Sequence, residues 1–242
     1  MPSIRQLLGG KKKRPVVPLA PELTPYDIQT IELAKPETMT SPQRLQALIL
    51  ALRYLDRRKL PGAIVECGVW RGGSMFAAAR TLLDLGDSAR ELYLYDTFSG
   101  MPAPTEQDKR HSDGASAADL LLDPAEDMTR AEAALDIVKA TMSRSGYPAQ
   151  RVRFVQGKVE DTIPGVAPAS IALLRLDTDW YSSTLHELEH LYSRLIPGGV
   201  LIIDDYGWWE GARRAVDEFF ARHEQPPLLN VIDETGRIGI RA

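Results

Sequence analysis

Two short acidic clusters carry most of the chemical potential of this chain. Asp177-Thr178-Asp179 directly follows the apolar run 171–176, and Asp204-Asp205 directly follows the apolar run 200–203. Carboxylates held close together repel and raise one another's pKa. A divalent cation that prefers hard oxygen ligands, such as Mg²⁺, Mn²⁺ or Ca²⁺, relieves that repulsion. One pair alone reads as capping and turn aspartates, but two pairs at neighbouring strand ends point to a metal. A third feature is Glu66-Cys67-Gly68-Val69-Trp70-Arg71-Gly72-Gly73-Ser74, whose glycines let backbone approach a ligand closely. It lacks the GxGxxG spacing and the P-loop Lys-Ser/Thr, so a pyrophosphate cradle is not indicated. By itself it reads equally as a tight strand-to-helix turn. Asp96 ends the next apolar run, where an acid accepts hydrogen bonds from ribose hydroxyls.

These residues need a scaffold that brings strand ends together. Thr40-Ser41-Pro42 is a helix start, and Leu45, Leu48, Ile49, Leu52 and Leu55 then recur at helical spacing through Asp56. This amphipathic helix can pack on the sheet or on a second subunit, so a homo-oligomer stays open. Strands are expected at 63–68, 91–96, 151–156, 170–176 and 200–204, and helices at 72–85, 128–143, 182–195 and 211–222. A closing hairpin is expected from 228–232 and 237–241. Strand and helix alternate throughout, which predicts an α/β fold: a mostly parallel sheet with helices on both faces and an antiparallel hairpin at its edge. Ligands of such sheets sit at the carboxyl ends of the strands. Glu66, Gly68, Asp96, Gly157, Asp177, Asp179, Asp204 and Asp205 all fall there. The stretch 98–125 is polar and turn-rich, and a loop of that length in a compact domain is usually functional or disordered.

Composition excludes several classes. The chain has 242 residues, one Cys and a net charge of −4. A lone Cys rules out a disulfide framework and any multi-Cys metal site, and it fits a reducing, cytoplasmic setting. No apolar run is long enough to cross a bilayer, so no membrane partner is expected. Arg5, Lys11, Lys12, Lys13 and Arg14 face only Glu22 in the first 24 residues, which leaves an acidic body and argues against nucleic acid. Residues 1–25, rich in Pro and Gly, read as a flexible basic arm without a secretory apolar region.

His186-Glu187-Leu188-Glu189-His190 matches HExxH literally. Leu185, Leu188, Leu191, Tyr192 and Leu195 define that helix's buried stripe, so the two histidines are expected on the solvent side and a catalytic zinc is not. His111 in the long loop and His223 at a helix end read as surface residues.

Several motifs taken in order resemble one family. Pro61 through Ser74, Tyr95-Asp96-Thr97-Phe98-Ser99-Gly100-Met101-Pro102, Val159 through Pro164, Arg175 through Tyr181 and Gly198 through Gly207 are similar to the macrocin O-methyltransferase type of enzyme. The resemblance runs from about residue 40 to 220. It implies the Rossmann-like class I fold that uses S-adenosylmethionine, a Mg²⁺ requirement, and methylation of a hydroxyl on a sugar-bearing small molecule in antibiotic or glycan biosynthesis. It implies that Glu66, Gly68, Trp70, Gly72 and Ser74 hold the methionine part of the cofactor. Asp96, with Phe98 and Ser99, would serve the ribose, and Gln156 and Gly157 the adenine side. Asp177, Asp204 and Asp205 match the metal ligands, Asp177 also bordering the cofactor, and Asp179 matches the general base. The domain plan that follows is an arm at 1–25, a helical region at 26–60 and the methyltransferase domain at 61–242, with 98–125 as its lid. Trp208 and the stretch 109–127 do not follow the family pattern.

Three other readings stay open from the residues, a dehydrogenase being the weakest because the fingerprint glycines are wrong. Asp177-Thr178-Asp179 is also the DxD of metal-dependent glycosyltransferases, although that leaves the glycine turn without a purpose. A non-catalytic binding protein is the remaining class.

Overall fold

A computed structural model describes residues 18–242, so the basic residues Arg5 and Lys11 to Arg14 of the expected arm lie outside the described residues. Helix α1 (Pro25–Ala34) opens on a reciprocal capping box: Thr24 accepts from the Asp27 N–H at 3.2 Å, and the Thr24 N–H donates to Asp27 at 2.9 Å. Helix α2 (Pro42–Arg57) starts as its sequence predicts, with Pro42 in the first turn and Ser41 accepting from the Arg44 N–H at 3.1 Å.

The strands are β1 (Ala63–Cys67), β2 (Leu92–Asp96), β3 (Val152–Gln156), β4 (Ile171–Leu176), β5 (Leu195–Ile203), β6 (Asn230–Val231) and β7 (Arg237–Ile240). They form one seven-stranded sheet in the order β3-β2-β1-β4-β5-β7-β6. The first five are parallel, and β7 and β6 add antiparallel at one edge. Alternation along each strand splits the core into two layers. Ile64, Leu173 and Ile202 face α2, α3 (Gly73–Asp84) and α5 (Leu135–Ser143). Val65, Leu174 and Ile203 face α7 (Tyr181–Leu191) and α8 (Glu210–Phe220). Leu45, Leu48, Ile49, Leu52 and Leu55 of α2 are all buried in the first layer, so its apolar stripe is spent within the chain.

Chain order reverses between β1 and β4, which both neighbour the middle of the sheet. That switch point opens a crevice at the strand carboxyl ends. Gly68 lies at its floor with φ +79°, and a Cβ there would meet the Asp177 carbonyl oxygen at 2.0 Å. Only glycine lets the β1 and β4 ends approach this closely.

Two expectations change. The single helix expected over 128–143 is instead a 3₁₀ stretch (Pro124–Arg130) and the separate helix α5 from Leu135, because Ala131 takes a left-handed φ of +46° that ends the first piece. The stretch 98–125 is not bare loop either. It contains helix α4 (Ala117–Leu122), and Arg110 pairs with Trp209 in an antiparallel bridge. Ala117 and Leu120 bury against Trp180, Trp209 and Ala212 in a small third core. Helix α6 (Val159–Thr162) completes the set.

Candidate active site

A cavity of about 1200 Å³ occupies the crevice. Single small-molecule sites usually measure about 300–1,000 Å³, so there is room for a donor and an acceptor together. Of the residues singled out in the sequence, Gly68, Trp70, Ser74, Asp96, Gly157, Asp177, Asp179, Asp204 and Asp205 line it. Glu66, Gly72, Phe98, Ser99 and Gln156 do not line the cavity. They stand behind or beside it.

The glycine turn is held from beneath. Asp96 Oδ2 accepts the N–H groups of Val69 at 2.8 Å and Trp70 at 3.0 Å, while Oδ1 accepts the Phe98 N–H at 2.8 Å. The residue expected to serve only a ribose therefore also clamps the turn that follows β1. Burial raises its carboxyl pKa above the usual value, against the pull of those backbone bonds. Gly72 serves as the α3 N-cap with φ +84°, and Ser74 in the first turn donates to Glu66 at 2.5 Å.

Glu66 belongs to a buried ionic chain. The guanidinium of Arg175, only 2% exposed, donates to Glu66, to Asp177 at 2.6 Å, to Asp204 and to Thr40 at 3.1 Å. Arg44 of α2 also donates to Asp204, and to Asp233 at 3.0 Å. Glu66 Oε2 is buried without a hydrogen-bond partner, and burial pushes the Glu66 carboxyl up to about 7 despite Arg175. Sequence reasoning did not single out Arg175 or Arg44. The signal for Arg175 was present: it is the one charge in the strand Ile-Ala-Leu-Leu-Arg-Leu, and Glu66 is its register partner on β1.

The acid cluster differs from the expected set at one position. Asp177, Asp179 and Asp205 each offer an oxygen within 4.8 Å of the others. Asp204 is not among them. Its two oxygens are taken by Thr40, Arg44 and Arg175, a cationic surrounding that a metal ligand does not need. Asp179, expected as the base, stands in the trio instead. Burial, reinforced by the Asp177 charge, pushes the Asp179 carboxyl up to about 7, and the Trp209 side chain hydrogen-bonds to it. Burial, with the charges of Asp179 and Asp177, also raises Asp205 well above the ordinary range, and its Oδ2 is buried without a hydrogen-bond partner. Three hard oxygen donors, repelling one another and one of them unsatisfied, fit a divalent cation of the Mg²⁺ class.

Behind the trio lies a residue that the sequence reading passed over. Glu187 is buried, accepts from the Thr178 hydroxyl at 2.8 Å, and has its other oxygen unpartnered. Burial first, then the charges of Glu160, Asp177 and Asp179, drive its carboxyl well up. It lies one helical turn from Thr184 and from Leu191, on their face of α7. The neighbouring histidines are half-buried rather than open to solvent. His186 reaches the Ile163 carbonyl at 2.9 Å, and the two rings pack with centroids 4.3 Å apart. No zinc site forms there among the described residues.

The 98–125 segment is fastened to this site. Asp108 is buried, accepts from Thr105 at 2.7 and 2.8 Å, and caps the start of α7 by accepting the Tyr181 N–H at 2.7 Å. Trp180 donates its indole N–H to the Pro102 carbonyl at 3.0 Å.

Residues 32–238 match the model of the macrocin O-methyltransferase family. The chain belongs to that family. It is accordingly an O-methyltransferase, and its sheet is that of the class I methyltransferases. The relatives of the family include the 8-demethyl-8-(2,3-dimethoxy-α-L-rhamnosyl)-tetracenomycin-C 4'-O-methyltransferase of Streptomyces olivaceus, 36% identical over 82% of this chain and 73% of that protein. The mycinamicin III 3''-O-methyltransferase of Micromonospora griseorubida is 34% identical over 82% of this chain and 76% of that protein. Among solved structures, the O-methyltransferase NovP superposes with a TM-score of 0.76 at 26% identity, covering 89% of this chain and 98% of NovP. Family membership removes the glycosyltransferase reading of Asp177-Thr178-Asp179.

Proposed function

We propose that the protein transfers the methyl group of S-adenosylmethionine to a sugar hydroxyl of a small glycoside, with Mg²⁺ held by Asp177 and Asp205 and with Asp179 as general base. The observation that carries this reading is the opening of the glycine turn and the acid trio into one cavity large enough for two molecules. The Streptomyces olivaceus relative, named for a rhamnosyl-bearing tetracenomycin, supports a sugar acceptor in natural-product biosynthesis. The acid-lined crevice suits a donor that carries a sulfonium and an ammonium group. No helix among the described residues is long and apolar enough to cross a membrane.

When bound, the donor supplies a methyl group on a sulfonium leaving group, and the cation supplies Lewis-acid polarisation of the accepting hydroxyl. The chain does the rest. The 68–70 turn, pre-shaped by Asp96, holds the methionine end of the donor without reorganising. Gly157 and the start of α6 form the opposite wall for the adenine. Asp179 would take the proton from the accepting hydroxyl oxygen as the methyl group is transferred to it. Trp209 and the left-handed backbone at Asp179, φ +68°, fix where that carboxylate points. Holding oxygen and methyl in line supplies much of the rate. Asp204, engaged by Arg44 and Arg175, keeps the β5 end beside β4, and Asp205 follows it into the cluster.

Incubation with methyl-labelled S-adenosylmethionine and an extract of the producing cell, followed by mass spectrometry, tests the reading. Label on a sugar oxygen, lost on chelation and restored by Mg²⁺, is expected. Failure to bind S-adenosylhomocysteine overturns it.

A further inference from the structure

Two adjacent tryptophans follow the Asp204-Asp205 turn and have opposite fates. Trp209 is 2% exposed and packed into the third core, whereas Trp208 is 40% exposed and lines the cavity. The backbone of Trp208 is nevertheless fixed on both sides. Its N–H donates to the Asp205 carbonyl at 3.0 Å, and its carbonyl accepts the His111 N–H of the lid at 2.8 Å. A large, half-exposed indole on a fixed stretch of backbone is thus placed at the cavity. The Asp205-to-Trp208 bond closes a turn, which keeps the two Cα atoms within about 7 Å. Asp205 belongs to the acid trio, and both Trp208 and Asp205 line the same cavity.

We propose that Trp208 is the acceptor platform of this enzyme: its indole face carries the pyranose ring whose hydroxyl is methylated. The C–H groups on one face of a pyranose are weakly positive, and the indole face is negative, so the two attract beyond simple area burial. A tryptophan has two χ angles to fix, so this contact costs little ordering. The proposal rests on the sugar reading above. It adds a specificity-determining residue to it, at a position where the sequence leaves the family pattern.

The test uses the full-length protein in the presence of S-adenosylhomocysteine and Mg²⁺. Binding of a panel of p-nitrophenyl glycosides that includes the α-L-rhamnoside is followed by calorimetry for wild type, Trp208→Ala and Trp208→Phe. Because the ring is exposed, both variants are expected to fold, and unchanged S-adenosylhomocysteine affinity checks this. Trp208→Ala should weaken glycoside binding about tenfold, and Trp208→Phe should restore most of it. Glycoside affinity equal in wild type and Trp208→Ala overturns the platform while leaving the sugar reading intact. Wild type that binds S-adenosylhomocysteine but no glycoside of the panel overturns both.

Discussion

The rings of Trp180 and Trp209 meet edge to face, with centroids 5.0 Å apart and planes at 75°. Each follows one of the two acidic turns, so this single contact joins the end of β4 to the end of β5 above the sheet. The Trp209 side chain also works against the burial that raises the Asp179 carboxyl. Replacing a buried tryptophan by alanine typically costs about 3–5 kcal/mol. Trp209→Ala should fall in that range by urea denaturation, and turnover should drop further than stability alone explains because Asp179 loses its restraint. A loss below about 1 kcal/mol would show that the two turns are held by other means.

The acid cluster predicts an unusual pH dependence for cation-free protein. Asp179 and Glu66 both reach about 7, from ordinary values of 3.8 and 4.5, chiefly through burial. Between those limits the folded chain holds protons that the unfolded chain has released. Stability therefore falls as pH rises from about 4 to 7. Asp205 and Glu187 shift in the same direction. Asp27, kept low by Arg53 and Thr24 despite burial, works in the opposite sense at more acid pH. Thermal melts in chelator should give a higher midpoint at pH 5.5 than at pH 8. Added Mg²⁺ should raise the midpoint at pH 8 much more than at pH 5.5. A flat profile in chelator contradicts the clustering of these acids.

Asp205→Asn removes one charge from the trio and blunts an oxygen that has no partner. Mn²⁺ affinity, followed by the paramagnetic signal of the free ion, should fall about tenfold or more. S-adenosylhomocysteine affinity should stay close to wild type, since Asp205 is not on the glycine turn. Unchanged Mn²⁺ affinity would remove Asp205 from the ligand set.

Gly211 seats the 98–125 segment. A Cβ there would sit 2.0 Å from Asp108 Oδ1 and 3.1 Å from the Tyr181 amide nitrogen. Gly211→Ala should unseat Asp108 and expose the 98–125 segment to limited proteolysis, with cuts near 105–115 appearing at least several-fold faster than in wild type. Digestion at the wild-type rate would mean that the lid docks without this contact.

Much of this fold is legible in sequence because the strand runs are short and apolar and the glycines and prolines between them mark the turns. The glycine turn, Asp96 and both acidic pairs were therefore located from pattern alone. What stayed hidden depends on neighbours that are distant in sequence. Asp204 and Asp205 look alike in a chain, yet one meets two arginines and the other meets two carboxylates. Trp208 and Trp209 are indistinguishable until the lid supplies a core for one of them. Glu187 was overlooked because a charged residue beside two histidines suggests solvent, whereas Thr178 awaits it inside. The 128–143 stretch has helical periodicity, but nothing local announces the left-handed Ala131.

The lid is fastened at its shoulders, through Asp108 at one side and the Ala117–Leu120 face at the other. Its tip is closed partly on itself, Arg110 pairing with Asp113 and the Gly114 N–H returning to the Arg110 carbonyl at 2.8 Å, and it is tied outward by Arg110 to Glu126 and by the His111 N–H to the Trp208 carbonyl. Residues 112–114 can thus change composition while the shoulders, with the His111 N–H on the Trp208 carbonyl, go on holding the two acidic turns in register. Such a loop behaves as an exchangeable cassette. None of residues 111–114 lines the cavity, so edits at the tip leave its walls unchanged.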